Sequence, residues 1–362
     1  MDLVQQRIDS FLDERSTELA AVSPDLDVLD AAARGLLAGG KRFRALFCYW
    51  GWQSVAARAE DFDPLGGEQD VTGVVSVAAA LELFHAAALV HDDIMDNSDL
   101  RRGEPSLHRR FQTLHRDRGW SGDAAGYGEA AALLLGDLLL GWSDGLFEQG
   151  LGHALPDAAA ATRAEFGRMR TEVMLGQYLD MLEEHSWRGR AEAELLSRAH
   201  RVVVYKSAKY SVEAPLALGA SLAGGSLAQL AALREFGLPL GVAFQLRDDL
   251  LGVFGDPAVT GKPAGDDLRE GKRTVLIALA RQLLPGSAAR LLDELLGDPA
   301  LEPEQIAMLQ ASIRDSGAVD QVERIIARNV QVATDALQQA PIARSARDQL
   351  TSLADTVTRR QS

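Results

Sequence analysis

Cysteine occurs once in this 362-residue chain, at Cys48. No intramolecular disulfide framework is available, and a lone thiol fits a reducing compartment, so a cytoplasmic location is expected. The N-terminus, MDLVQQRIDSFLDERS, has no basic start followed by an apolar run, so no signal peptide is expected. No uninterrupted apolar stretch reaches about 18 residues. The longest candidate, Ala130 to Leu140, is broken by Gly136 and Asp137. No membrane span is therefore expected. Alternating runs bounded by hairpin turns are essentially missing, so a sheet is not supported. Positive charge is in deficit: 52 acidic against 37 basic residues give −15. That balance argues against a general nucleic-acid binder, whose affinity comes from neutralising phosphates. A local site for a small anion stays open if charge or metal is supplied there. Lysine is the scarcest charge of all, 5 residues against 32 arginines.

What the chain does have is helical periodicity. Its 47% hydrophobic and 25% charged content is that of a folded globular protein. Val4, Ile8, Phe11, Leu12 and Leu19 fall near one face of a first helix. Asp27 to Leu37 reads as a second, ended by Gly39-Gly40, and a third begins at about Lys41. The stretch Ala59 to Asp70 reads as a loop. Val71 to Asp96 is a long Ala/Leu-rich helical run with no interior proline, and Arg101 to Tyr127 reads mostly as loop with short helical pieces. Helical patterns resume at Glu129 and continue through Ala191–Leu222, Leu227–Phe254 and Val319–Ala340. No repeat or low-complexity linker divides the chain. The expected fold is all-α, one multi-helix domain over residues 1–362.

Two acidic clusters end apolar helical runs. In LELFHAAALVHDDIMD, Asp92 and Asp96 are four apart and share a helix face. Like charges at that spacing repel, and Mg²⁺ would offset the repulsion, since it takes carboxylates together with phosphates and waters. The plainer reading is a solvated acidic helix end. It is disfavoured by the scarcity of polar residues just before Asp92. Far downstream, FQLRDDLLG carries Asp248 and Asp249. Two such helices, facing each other across a bundle core, would hold several Mg²⁺ against one diphosphate. Asp266 and Asp267 form a third pair among glycines and a proline, and read as a surface loop.

The five lysines are Lys41, Lys206, Lys209, Lys262 and Lys272. In a chain that uses arginine almost everywhere, a retained lysine suggests a need for a compact point charge, which suits phosphate. Lys41 lies in GGKRFR with Arg44 three residues on. If Gly39-Gly40 introduces a helix, its N-terminal amides add to an anion site. Arg101-Arg102 follow the first aspartate cluster after a short turn, and alone would read as a solvated charge pair.

Taken together, GGKRFR, DDIMD, LRRG, GQYLD, YKS and FQLRDD…GD…GK…GK resemble the trans-isoprenyl diphosphate synthases (polyprenyl synthetases), in the family's order. The resemblance implies an all-α bundle around a central cavity, a homodimer, and head-to-tail condensation of isopentenyl diphosphate with an allylic diphosphate. It implies about three Mg²⁺ ions with substrate bound, held through Asp92 and Asp96, with Asp93 in support, and through Asp248, with Asp249 and Gln245 beside it. Lys41, Arg44, His85 and Arg102 match the isopentenyl diphosphate site. Arg101, Lys206 and Lys262 match groups that hold the allylic diphosphate, and Lys272 a further basic residue near it. Ser207 stands where threonine is frequent, and Gln177 and Asp180 match a polar face of the cavity. One departure is Gly252, where the family often has a third aspartate; Asp256 follows four residues later, past an expected helix end at Gly255.

In such a synthase the growing chain runs down beside the helix that ends at Asp92. Ala88 and Ala87, four and five residues earlier, are small and let it pass, while Phe84 is a candidate floor. The expected product is geranylgeranyl diphosphate (C20), with C25 or longer, or C15, as alternatives. The plainer reading is that both alanines serve close helix packing. A terpene cyclase would not need GGKRFR, His85 and Arg102. A non-catalytic synthase subunit would not need Asp92, Asp96 and Asp248.

Overall fold

The computed structural model describes residues 1–57, 69–256 and 265–358. They group into two compact units: Met1–Thr162 with Leu218–Gly225, and Arg163–Ala217 with Ser226–Ser362.

The first unit is built from α1 (Asp2–Val22), α2 (Asp27–Leu37), α3 (Phe43–Ala56), α4 (Thr72–Met95), α5 (Leu107–Asp117) and α6 (Ala124–Leu151). Val4, Ile8, Phe11 and Leu12 turn the predicted face of α1 inward. Helix α4 is apolar nearly all round, and correspondingly it is covered by α6, α3 and α1. Helix α6 starts where the Asp123 carboxylate accepts from the Ala125 and Gly126 amides at 3.0 and 3.1 Å.

The second unit centres on α10 (Leu227–Phe254). Its start is fixed by a capping box in which Ser226 and Gln229 satisfy each other's amides. It packs against α12 (Val275–Leu283), α15 (Ala318–Gln338) and the segment Val203–Glu213. Leu246, Leu250, Val253, Leu276, Ile313 and Val322 form part of that core. The remaining helices are α7 (Pro156–Ser186), α8 (Glu192–Val202), α9 (Ala214–Leu222), α11 (Asp266–Glu270), α13 (Gly286–Leu295), α14 (Pro303–Asp315) and α16 (Arg344–Thr358).

The all-α expectation holds, with four differences. Arg101–Tyr127 contains α5, because Leu107, Phe111 and His115 are spaced to bury one face. A two-residue hairpin joins Leu100–Arg101 to Glu104–Pro105. Its turn has Arg102 at φ 55° and Gly103 at φ 81°, the paired positive angles of a tight hairpin. The run expected as one helix over Ala191–Leu222 passes through a π-helical stretch at Val203–Glu213. Helix α3 begins at Phe43, not Lys41, after Gly39, Gly40 and Arg42 have all taken positive φ.

By length and composition, α4, α6 and α10 are apolar enough to cross a membrane, once scattered polar residues are admitted. In α4, 72% of the apolar window is buried inside the protein, so packing accounts for its composition.

Candidate active site

The first aspartate cluster closes α4. Asp92 and Asp96 are half-buried on one face, one turn apart, and the Asp96 amide donates to Asp92 O at 2.8 Å. Asp93 points elsewhere. It is buried and accepts from Arg101 Nε at 2.9 Å, with Arg101 Nη2 bonded to the same oxygen. Arg101 Nη2 also lies 3.7 Å from Asp92. Asp93 thus orients Arg101 beside the exposed edge of the cluster, a charge-assisted arrangement.

Basic residues gather around this cluster within the first unit. The Arg102 guanidinium lies against the Gly39-Gly40 turn, with Nη2 3.4 Å from where a Cβ on Gly40 would sit. A side chain at Gly40 would press on that guanidinium, and φ 94° disfavours one in any case. Arg42 is buried, and its Nη2 donates to Leu37 O at 2.8 Å and to Gln5 Oε1. It is a strut for the turn between exposed Lys41 and half-buried Arg44. Burial, then the charges of Arg44, Arg102 and Arg101, push the His85 imidazole well below its usual pKa, so it is neutral. Arg44, His85 and Arg102 thus lie within electrostatic reach of one another, while Lys41 is exposed in the adjoining turn.

One α3 amide in this group is taken within the fold: Ala45 N donates to Glu82 Oε1 at 3.3 Å. Glu82 is half-buried on α4. Loss of solvent raises its pKa, and Arg44, Arg42 and Arg102 pull it back down. Sequence reading missed Glu82. Its one signal was a carboxylate one turn before His85 in an otherwise apolar helix.

In the second unit, Asp248 is half-buried near the end of α10 and Asp249 is buried. Gln245 Nε2 donates to Asp249 Oδ1 at 2.8 Å, while Asp249 Oδ2 is buried with no hydrogen-bond partner. Burial pushes the Asp249 carboxyl up to about 8, against the Gln245 bond and with the help of Asp267, Asp248 and Asp180. Lys206 and Ser207 lie in the π-helical stretch, where such geometry frequently marks function. Lys206 is ion-paired with Asp180 of α7, and Gln177 is half-buried one turn earlier on α7. Lys209, which had no predicted role, ties the same stretch to Glu172 at 2.7 Å. Lys272 sits 2.6 Å from Glu270 and 4.0 Å from Asp267. Lys262 lies outside the described residues. The reading of Asp266-Asp267 as a surface loop is corrected: they open helix α11, and the Asp267 side chain is only 15% exposed.

These carboxylates suit a hard divalent cation. An orphaned, buried Asp249 oxygen beside like charges is a donor set that positive charge would satisfy. Among the described residues no three His, Cys, Asp or Glu side chains converge on one metal position. Mg²⁺ binds through one or two carboxylates and completes its shell with substrate phosphates and waters.

Along α4, the face below Asp92 changes from open to closed. Ala88 is half-buried, whereas Phe84 and Ala87 are packed in the core.

The polyprenyl synthetase family model matches residues 27–313. The chain belongs to that family. Among polyprenyl synthetases, a geranylfarnesyl diphosphate synthase from Aeropyrum pernix is 32% identical over 91% of this chain and 93% of its own. A geranylgeranyl diphosphate synthase from Mycobacterium tuberculosis is 33% identical over 85% and 78%. A crystal structure of geranylgeranyl pyrophosphate synthase from Corynebacterium glutamicum, complexed with isoprenyl diphosphate and magnesium, superposes with a TM-score of 0.91 at 38% identity, covering 99% of this chain and 98% of that one. The chain is a trans-prenyltransferase of the polyprenyl synthetase family, with the isoprenoid synthase fold.

Proposed function

We propose that this prenyltransferase condenses isopentenyl diphosphate head-to-tail with an allylic diphosphate in a Mg²⁺-dependent reaction, with geranylgeranyl diphosphate (C20) as main product. The observation that carries the reading is the basic group Arg44, Arg101 and Arg102 around neutral His85, beside the Asp92–Asp96 face. A cyclase, which takes one diphosphate substrate, has no use for it.

Asp92, Asp96 and Asp248 would hold Mg²⁺. When bound, the metal supplies Lewis acidity that draws charge onto the leaving diphosphate. By resemblance, Arg101, Lys206 and Lys262 would each contact the allylic diphosphate and stabilise charge as its C–O bond ionises. Asp93 keeps Arg101 in position for this. Lys41, Arg44 and Arg102 would hold isopentenyl diphosphate, so that its double bond attacks the allylic carbon in a fixed orientation. Neutral His85 contributes hydrogen bonding without adding repulsion among the arginines. A proton then leaves the new C–C bond's neighbour, accepted by the released diphosphate. No nucleophilic side chain is required.

Support for C20 comes from α4: the open face at Ala88 ends one turn lower at closed, bulky Phe84. The distance from Asp92 to Phe84 along the helix is about 12 Å. We further propose a homodimer. Its support is the outward face of α6, where Leu133 and Leu134 are exposed and Gly141 and Gly145 have open space before them. Light scattering of the purified protein measures that.

The deciding experiment uses labelled isopentenyl diphosphate with C5, C10 or C15 allylic partners and Mg²⁺, followed by chain-length analysis. C20 accumulation is expected. Hydrocarbon release from geranylgeranyl diphosphate alone would favour a cyclase, and inactivity with every primer a non-catalytic subunit.

A further inference from the structure

Trp187 follows α7 directly and belongs to none of the motifs that carry the resemblance. One arginine covers its ring. The Arg273 guanidinium carbon sits 3.6 Å from the ring centroid, in stacking contact, while those of Arg188 and Arg281 stand off at 5.5 and 5.8 Å. Other holds on Arg273 are few. Asp293 of α13 gives both oxygens to Arg281 Nε, at 2.9 and 3.1 Å, and meets Arg273 Nη1 only at 3.4 Å. Arg273 Nε is buried with no hydrogen-bond partner. The cavity beside the pair is lined by Leu195, Ala199, Ile277 and Ala278, whose side chains offer no acceptor. Glu183, also on its wall, is taken by Arg198 at 2.8 and 2.6 Å. Burial pulls the Arg273 pKa down to about 10, so the group is still charged at neutral pH. A desolvated cation with one long ion pair depends on the ring face for its place.

The residue before Arg273 is Lys272, which the resemblance sets near the allylic diphosphate. The two side chains part. Lys272 Nζ reaches Glu270 of α11 at 2.6 Å, whereas Arg273 turns to the end of α7. Their segment lies between Gly271, at φ 80°, and Thr274, whose hydroxyl caps α12 by accepting from Ile277 N at 3.4 Å. Neither residue belongs to a helix, so side-chain anchors bear on how the segment is turned. We propose that Trp187 and Arg273 are a positioning pair: ring and guanidinium hold the segment so that the Lys272 ammonium is presented to the allylic diphosphate. This rests on the prenyl-transfer reading above.

Steady-state kinetics of the full-length protein, with each diphosphate substrate varied in turn, provides the test. The proteins are wild type, Trp187→Leu, Trp187→Phe, Arg273→Lys, Lys272→Gln and the double variant Trp187→Leu/Lys272→Gln. Trp187→Leu should raise KM for the allylic diphosphate about 5- to 30-fold and leave KM for isopentenyl diphosphate within about twofold of wild type. Trp187→Phe keeps a ring face and should recover most of the loss. Arg273→Lys keeps the charge without the planar stack and should shift the same KM in the same direction. On the Lys272→Gln background, Trp187→Leu should add nothing, because the group it positions is gone. A tryptophan that only supports the fold would raise both KM values, with or without Lys272. Either result overturns the inference, as does a wild-type allylic KM in Trp187→Leu. If Trp187→Leu fails to fold by circular dichroism, Arg273→Lys, alone and combined with Lys272→Gln, decides by the same comparison. If Lys272→Gln leaves the allylic KM unchanged, this inference alone falls. If wild type transfers no prenyl group, the functional reading falls and this inference with it.

Discussion

Glu82 governs how the basic residues of the first unit are held. It accepts the Ala45 amide, and its charge faces Arg42, Arg44 and Arg102. Three guanidinium groups close together repel, and one carboxylate among them lowers the energy of the assembled arrangement. Glu82→Gln keeps the side-chain shape and the amide contact while removing the charge. It should raise KM for isopentenyl diphosphate about 5- to 30-fold, equivalent to about 1–2 kcal/mol. KM for the allylic partner should barely change. Steady-state kinetics with each substrate varied in turn provide the check, and equal effects on both would count against the role. Cys48 makes a contrasting case. Burial pushes its thiol up to about 12, so the folded protein holds it protonated where an exposed cysteine ionises. Iodoacetamide at pH 9 should leave the native protein unlabelled over hours and label it rapidly in denaturant, as read by mass spectrometry. Fast native labelling would mean that α3 opens far more readily than its packing implies.

At the scale of elements, the proposed function gives helix α4 two tasks: it would carry the aspartates assigned to the metal and the wall assigned to the product channel. Residues 84, 88 and 92 follow the i, i+4 spacing that puts them on one face. Ala88→Phe places a ring on the half-open part of that face and should shorten the main product from C20 toward C15. Chain-length analysis decides it; an unchanged distribution would remove Phe84 and Ala88 from the account of chain length. Most helices were legible, because their periodic apolar residues meet a core, as Val4, Ile8 and Phe11 do in α1. The aspartate motifs were legible because carboxylates closing an apolar run are chemically conspicuous. What escaped reading depended on contacts between distant segments. Nothing local distinguishes the π-helical turn at Lys206 from an α-helix, yet Gly176 of α7 comes so close that a Cβ there would lie 2.6 Å from Lys206 Cα. Asp267 likewise looked like loop, because its surroundings come from Gly252, fifteen positions earlier. Glu82 was hidden in a run read for its apolar content, and the start of α3 shifted because Arg42 adopts the left-handed region to send its side chain to Leu37 and Gln5.

For the whole molecule, the −15 charge bears on how diphosphate and metal would arrive under the proposed function. A diphosphate approaching alone meets a protein of net negative charge. A free Mg²⁺ meets carboxylate pairs such as Asp92 and Asp96, which leave most of its six ligand positions to other oxygens. Each lacks what the other brings: the ion supplies the positive charge that the diphosphate needs, and the diphosphate supplies the oxygen ligands that Mg²⁺ needs. Binding should therefore be strongly cooperative. Mg²⁺ alone or pyrophosphate alone should move the Tm little, and the two together should move it by several degrees. Joint saturation at about 100 times Kd corresponds to about 2.7 kcal/mol of added stability. Thermal unfolding under four conditions, apo, Mg²⁺, pyrophosphate and both, measures this directly. Chelation by EDTA should return the combined sample to the apo Tm and abolish prenyl transfer. Additive shifts would mean that each partner finds a complete site without the other, contrary to donor groups such as Asp249 Oδ2 that are left unsatisfied within the fold.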